Sequence, residues 1–301
     1  MYYYSLYGCS IASSMEFPQL IQNRTSEIDI FISEGSIPIE ILKESSLRYY
    51  DIGEMVSWFQ NDMGIFYIKE GREIHYILKE NVNIQYIRSY ILGYAISMAL
   101  LQRGIMTIHC SAVANNEGSI LISGQSGAGK STLTTSYLKH GYKFLADDIV
   151  AIRLNEENKV IAYPAFPYQK LCRDVVNIEE LDLNNLIYID EEKDKFLVPN
   201  KERFMKEPAE VKGMVILCPF DGMKLEIEEV KGINKLMAIR ENLFLSPLRG
   251  SWIVKPLLIQ TCLSIGSKVP IYVVRRPRKI NTSAILKDEI DQVLSTAIMA
   301  Q

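Results

Sequence analysis

Histidine is scarce in this chain, with three in 301 residues, and cysteine is little commoner. The five cysteines, Cys9, Cys110, Cys172, Cys218 and Cys262, stand singly and form no C-x-x-C pair. A structural zinc site needs closely spaced ligands, so this inventory argues against one. An odd number of dispersed thiols also argues against a disulfide scaffold and reads as reduced cysteine in a cytoplasmic protein. Basic excess is missing too: 33 Lys+Arg face 36 Asp+Glu, a formal net charge of −3. Proteins that grip nucleic acid or anionic membranes usually carry the opposite balance, so neither partner is expected. The opening MYYYSLYGCS has no basic segment followed by an apolar one, so no secretory signal is read. The longest apolar stretch, Ile84 to Leu101, is broken by Gln85, Arg88 and Ser89 and falls short of a membrane span.

What is present suffices for a core. The chain is 48% hydrophobic and 23% charged, ordinary for a globular protein. Its length allows about two domains at ~150 residues each. Residues 1 to about 80 read mainly as strands, with Ile65–Lys69 and Glu73–Leu78 flanking Glu70-Gly71-Arg72 as a hairpin. From Val82 to Gln102 the period lengthens. Ile84, Ile87, Ile91, Tyr94, Ala95, Met98 and Leu101 recur three or four apart, which predicts one face of a helix, capped by Asn81 or Asn83.

Beyond residue 104 the pattern changes again. Met106–Val113 and Ser119–Ser123 read as strands joined through Asn115-Asn116-Glu117-Gly118. A helix, a strand Lys143–Ala146 and a hairpin around Asn155–Asn158 follow. Residues 178–212 are charged, with moderate helical tendency. Val211–Leu217, Lys224–Val230 and Ile271–Val274 read as strands; Met237–Phe244, Val254–Ser264 and Ala284–Ala297 read as helices. The division expected is 1–104, a β-rich domain with a linking helix, and 105–301, a catalytic domain.

Three features carry chemistry. The first is Gly124-Gln125-Ser126-Gly127-Ala128-Gly129-Lys130-Ser131, a full G-x-x-x-x-G-K-S phosphate loop between a strand and a helical run beginning at Thr132. Its glycines let successive backbone N–H groups turn inward around phosphate oxygens, and the following helix adds its N-terminal partial charge. Lys130 supplies a full charge to the terminal phosphates of ATP, and the Ser131 hydroxyl is positioned to hold Mg²⁺. The expected nucleotide contacts are therefore Gly124 through Ser131 and Thr132.

The second is Asp147-Asp148, one helix and one strand later. In a parallel sheet its strand would end on the same edge as the loop, facing the phosphates. One acid then holds Mg²⁺ and the other accepts a proton from an attacking hydroxyl. Away from a phosphate loop the same pair is an ordinary turn. The third is His109, which from the residues alone reads more readily as structural; His75 and His140 are read as structural too.

Together His109, the loop and Gly141-Tyr142-Lys143-Phe144-Leu145-Ala146-Asp147-Asp148 resemble the catalytic domain of the HPr kinase/phosphorylase family. The resemblance is specific over about 105–154 and looser to roughly 275. It implies an α/β fold: a P-loop kinase domain of the HPr kinase/PEP carboxykinase-like type with a smaller β-rich N-terminal domain. It also implies ATP-dependent phosphorylation of a serine hydroxyl, with Lys130 on the phosphates and Asp148 as general base. His109 then belongs to the catalytic set, and Ser131 with Asp147 lies on the metal side; an exchange of roles between the two aspartates stays open.

The family's L-E-I-R-G and P-G-R-N segments are absent, which weakens HPr as substrate and the reverse phosphorolysis. The start, Tyr4-x-x-Tyr7-Gly8-x-x-Ile11-x-Ser13, and the stretch Pro164-Ala165-Phe166-Pro167-Tyr168-Gln169-Lys170-Leu171-Cys172-Arg173-Asp174 look more like the related kinases of lasso-peptide clusters. That likeness implies phosphorylation of the C-terminal serine of a precursor peptide. The expected partner is such a peptide, or a small protein carrying the acceptor serine, with a homo-oligomer in keeping with the family. Lys170 and Arg173, and less directly Lys195 in Lys193-Asp194-Lys195, are candidate substrate or phosphate contacts. A solvated surface turn explains those charges equally well. Two other functions stay open: a kinase of free serine or a related small molecule, and a nucleotide-binding regulatory module without transfer chemistry.

Overall fold

The computed structural model describes residues 1–190, 194–248, 256–278 and 282–299. Lys193, and Val254 and Lys255 at the start of one expected helix, lie outside the described residues. Among those residues the chain is a mixed α/β protein with three sheets.

The first sheet is built from β1 (Tyr2–Leu6), β2 (Cys9–Ser13), β3 (Ile21–Gln22), β4 (Ile30–Glu34), β5 (Tyr50–Ile52), β6 (Val56–Asn61), β7 (Gly64–Lys69) and β8 (Glu73–Leu78). Their order is β3-β1-β2-β4-β8-β7-β6-β5. The turn between β1 and β2 is Tyr7-Gly8, with φ of +53° and +70°, the paired left-handed geometry that suits the twist of a two-residue hairpin. A Cβ on Gly8 would stand 2.6 Å from the Tyr163 ring, so the tip is pressed against the second sheet.

After the short helix α1 (Ile39–Glu44) between β4 and β5, the expected helix forms in two pieces, α2 (Ile84–Tyr90) and α3 (Ile96–Gln102), separated by a π-helical turn over Ile91–Ala95. Asn83 caps it, accepting from the backbone N–H of Gln85. Every residue of α3 is buried, because it is covered all round as a core helix is rather than along one stripe. Its buried Gln102 is satisfied by Gly71 N–H (2.7 Å) and Ser57 Oγ (3.1 Å).

The second sheet contains β9 (Met106–Ile108), β10 (Cys110–Asn115), β11 (Gly118–Gly124), β12 (Lys143–Ala146), β13 (Val150–Leu154) and β14 (Val160–Tyr163). A small third sheet pairs β15 (Tyr168–Cys172) with β17 (Lys195–Pro199), and β17 with β16 (Ile187–Asp190). The long strand β18 (Ala209–Phe220), β19 (Glu226–Glu229) and β20 (Ile271–Pro277) complete the second sheet, which runs β12-β10-β11-β18-β14-β13-β9 with β20 also on β18. Strands β11, β18 and β20 are parallel neighbours, whereas β10 lies antiparallel between β11 and β12.

The sheet is thus mixed, not parallel as the sequence suggested. β11 and β12 nevertheless point the same way, because each is antiparallel to β10. Helices α4 (Lys130–Lys139) and α8 (Ser283–Met299) cover one face through Leu133, Tyr137, Leu286, Ile290 and Leu294. On the other face, α3 and the two helices α6 (Ile233–Glu241) and α7 (Pro256–Lys268) join a core that continues into the first sheet, so the apolar interior runs unbroken across residue 104.

Two expectations changed form. Met106–Val113 is two strands, β9 and β10, broken at His109. The described residues of 178–212 form short strands and 3₁₀ turns beyond the end of α5 (Arg173–Ile178) rather than a further α-helix, because Phe196 and Val198 of β17 pack on Leu171 and on Val176 of α5 in a separate small core. The break at His109 locates the site.

Candidate active site

Strand β9 pairs with β13 (Ile108 opposite Val150), and β10 pairs with β12 (Ala112 opposite Ala146), in one antiparallel register that holds as far as Ala112 and shifts by one residue beyond it. The same two chain segments therefore turn a corner side by side, one at His109 and the other at Asp147–Ile149. Carried through the corner, that register sets Ser111 against Asp147, and Ser111 Oγ donates to Asp147 Oδ1 at 2.5 Å. Asp148 sits at φ +69°, left-handed geometry that Asp tolerates better than most residues. This twist turns its carboxylate out of the ladder.

The phosphate loop begins where β11 ends. Gly124, Gly127 and Gly129 all have positive φ, at +141°, +78° and +101°, and Gly129 leads directly into α4. Gln125, Ser126, Gly127 and Thr132 are exposed and Ala128 is buried. Lys130 arches back over the loop, its Nζ donating to the carbonyls of Gly124 (2.6 Å) and Gln125 (3.3 Å). Burial lowers the Lys130 pKa, opposed by Asp147 and Asp148. From the end of β20, Arg276 donates through Nε to Ala128 O (2.6 Å) and through Nη2 to Gly127 O (3.3 Å), bracing the loop from behind.

The start of β15 closes the other side. Lys170 donates its backbone N–H to Asp147 Oδ2 (2.8 Å) and its Nζ to Asp148 Oδ2 (2.7 Å), and its carbonyl lies 3.5 Å from the Ser131 hydroxyl. Gln169 Nε2 reaches the Ser131 carbonyl at 3.4 Å. Burial by itself would raise the Asp148 pKa, but the charges of Lys170 and His109 outweigh it and hold the carboxyl far below the usual carboxylate range. His109 Nδ1 donates to the Asp148 carbonyl (3.1 Å) and stands 3.6 Å from Asp148 Oδ1. A carbonyl only accepts, so the neutral ring carries its proton on Nδ1 and leaves Nε2 as an acceptor. Burial lowers the His109 pKa; the Asp148 charge opposes this and the Lys130 charge adds to it.

The fold therefore gathers His109, Lys130, Ser131, Asp147, Asp148 and Lys170 around one corner. Lys195 belongs to the same electrostatic neighbourhood, lowering both Asp148 and Lys130. Arg173 does not join them: it is paired with Asp194 through Nε (2.7 Å) and Nη2 (2.9 Å) and stacks over Phe196. His75, between Ser33 and Glu73, and His140, bonded to Ser136 O, lie outside the cluster. Sequence reasoning missed Ser111 and Arg276. Ser111 stands two residues from His109 in an otherwise apolar strand, a faint signal; Arg276 lies 148 residues from the carbonyl it holds, and no spacing announces it.

An Mg²⁺ ion fits this donor set. Among the described residues no group of three or more His, Cys, Asp or Glu side chains is placed to hold a metal ion by itself. Mg²⁺ instead takes one or two protein oxygens and fills its shell with phosphates and water, which the Ser131 hydroxyl and the Asp147 carboxylate beside Lys170 can provide.

No protein-family model matches the chain, and no curated protein matches it. Among solved structures it is similar to the Hpr(Ser) kinase/phosphatase from Coxiella burnetii, at 14% identity over 64% of this chain and 93% of that one, with a TM-score of 0.35. No helix among the described residues is long and apolar enough to cross a membrane.

Proposed function

We propose that the protein is an ATP-dependent kinase that phosphorylates a serine hydroxyl. The observation that carries this reading is the corner itself: a phosphate loop with Lys130 faces a carboxylate, Asp148, that is kept ionised and is turned away from its own ladder. Asp148 accepts the hydroxyl proton as the acceptor oxygen bonds to the γ-phosphorus and the bond to the departing ADP oxygen breaks. A strongly stabilised carboxylate is a weak base, but phosphoryl transfer passes through a loose transition state, so its position and ionisation matter more than its basicity. Lys130 and the N–H groups of the loop offset the charge on the transferring phosphoryl. Ser131 and Asp147 would hold Mg²⁺, which would supply charge neutralisation to the nucleotide phosphates when bound. His109, donating to the Asp148 carbonyl, fixes the turn that presents the carboxylate. Lys170 orients that carboxylate, and Lys195 adds positive charge toward the phosphates.

The finer reading is that the acceptor is the C-terminal serine of a lasso precursor peptide, modified in the cytoplasm. The two stretches that resemble the lasso-cluster kinases support it, since Tyr7 from one and Phe166 and Lys170 from the other line one small cleft with Asp148. Incubation with ATP and a serine-terminated peptide should add one phosphate to the serine hydroxyl, read by mass spectrometry. Turnover of free serine with no modified peptide would replace this reading with a small-molecule kinase. Retained ATP with no transfer to either acceptor would leave a nucleotide-binding module.

A further inference from the structure

A cavity of about 210 Å³ lies between α6, α7 and strand β9, with Leu236, Leu243 and Leu258 among its walls. Native interiors leave few voids larger than a water molecule. An apolar cavity of even ~150 Å³ stays dry and takes up a small hydrocarbon instead. The space therefore suits an apolar body and not a cluster of waters. It is also reachable: Met237 on α6 and Ile259 and Leu263 on α7 line it and are themselves 45%, 45% and 53% exposed. They form an apolar rim through which a ligand can enter.

The rim carries one charge. Arg240 is the one ionic residue on the described lining, three residues after Met237 and so on the same face of α6. It is exposed and pairs with no acid among the described residues. A guanidinium beside an apolar hollow matches a ligand with an apolar body and a carboxylate head, which it can grip with two N–H donors.

One wall of the cavity is shared with the catalytic corner. Residues 242–245 run along β9 with Leu243 bridged to Ile108, the Phe244 N–H donating to Thr107 O (3.0 Å) and the His109 N–H to Asn242 O (2.7 Å). Side chains alternate along such an extended segment. Leu243 and Leu245 line the cavity. Phe244 instead lies 6.0 Å from the His109 ring, and Asn242 Oδ1 accepts from the Ser123 hydroxyl just before the phosphate loop. The segment thus has the cavity on one side and the corner on the other.

We infer that this cavity binds a small acyl or aryl carboxylate, its apolar body among the leucines and its head on Arg240, and that occupancy is felt at His109 through residues 242–245. Binding itself does not depend on the kinase reading; that reading enters only because His109 belongs to the catalytic corner.

The test is titration of the full chain with octanoate and with octanol, its uncharged counterpart. Octanoate should bind the more tightly. Arg240→Gln should weaken octanoate by about three- to tenfold and leave octanol unchanged. Cys262→Phe, which fills the cavity from α7, should weaken both by about tenfold or more. If that variant does not fold, octanoate should protect the wild-type Cys262 thiol from alkylation, read by peptide mass. The His109 imidazole NMR signal, identified by its loss in His109→Gln, should shift when octanoate binds. No binding to the wild-type protein, or binding that leaves Cys262 unprotected and is unchanged in the folded variants, would overturn the site. Equal affinity for octanol would overturn the carboxylate, and an unmoved His109 signal the link to the corner. Octanoate binding by a protein that transfers no phosphate to any serine would remove the kinase reading and leave the cavity site standing.

Discussion

The two sides of the site are built in opposite ways. The phosphate side is eight consecutive residues, Gly124–Ser131, whose cation, Lys130, rests on main-chain carbonyls of its own loop. The acceptor side is assembled from segments as far apart as Tyr7 and Ile149, and its cation, Lys170, is tied to the Asp148 carboxylate. A contiguous loop makes a general binding device for phosphate. A wall built from distant segments makes a particular one, because each segment can change without disturbing the loop. On this account nucleotide binding and acceptor recognition are separable properties of one corner.

Four changes break or sharpen that contrast. The largest effect is expected from Asp148→Asn, which removes the proton acceptor. Single-turnover transfer to peptide should fall by about 10³- to 10⁴-fold, and a rate near that of the wild type would mean that another group takes the proton. Lys130→Met should lower transfer by about 10²- to 10³-fold through loss of charge at the phosphates. Unlike Asp148→Asn, it should also weaken MgATP binding, measured by titration calorimetry.

Arg276→Gln removes the brace behind the loop and should weaken MgATP by about tenfold, the scale of one or two hydrogen bonds from a charged donor. Acceptor KM should stay unchanged; a change would join the two sides that the account separates. The smallest effect is in pH dependence. His109 is lowered below its ordinary value of about 6.5, so it is neutral at pH 7 and gains charge only as pH falls below that. Charging it sets a second cation beside Asp148 and weakens that carboxylate as a base. The kcat/KM profile should therefore show an acid limb below pH ~6.5 that His109→Gln abolishes. The same shift has a stability consequence. The unfolded chain takes up this proton first, so His109 costs stability as pH falls from its unfolded toward its folded pKa, and acid melts of wild type and His109→Gln should converge above neutrality.

The contrast also explains what could be read in advance. The phosphate loop was legible because its function resides in contiguous residue types, and the hairpins at Asn115–Gly118 and Asn155–Asn158 because turn chemistry is local. The break at His109 was hidden, since Met106–Val113 is apolar on both sides of it and reads as one strand. The loop and the acid pair were expected on one edge for the wrong topological reason, a parallel sheet; the intervening antiparallel β10 gives the same result. Ser111 and Arg276 act through tertiary register, which no local pattern encodes. The stretch around Lys195 was obscured by its charges, although Phe196 and Val198 alternate toward their own small core.

The central claim is that the corner has two independent halves, and dissociation constants for MgATP and for a serine-terminated peptide, measured on Lys130→Met and Lys170→Met, test it most directly. The account predicts a crossed result: Lys130→Met weakens MgATP and spares the peptide, while Lys170→Met, which releases the Asp148 carboxylate, weakens the peptide and spares MgATP. Parallel loss of both ligands in both folded variants would contradict it.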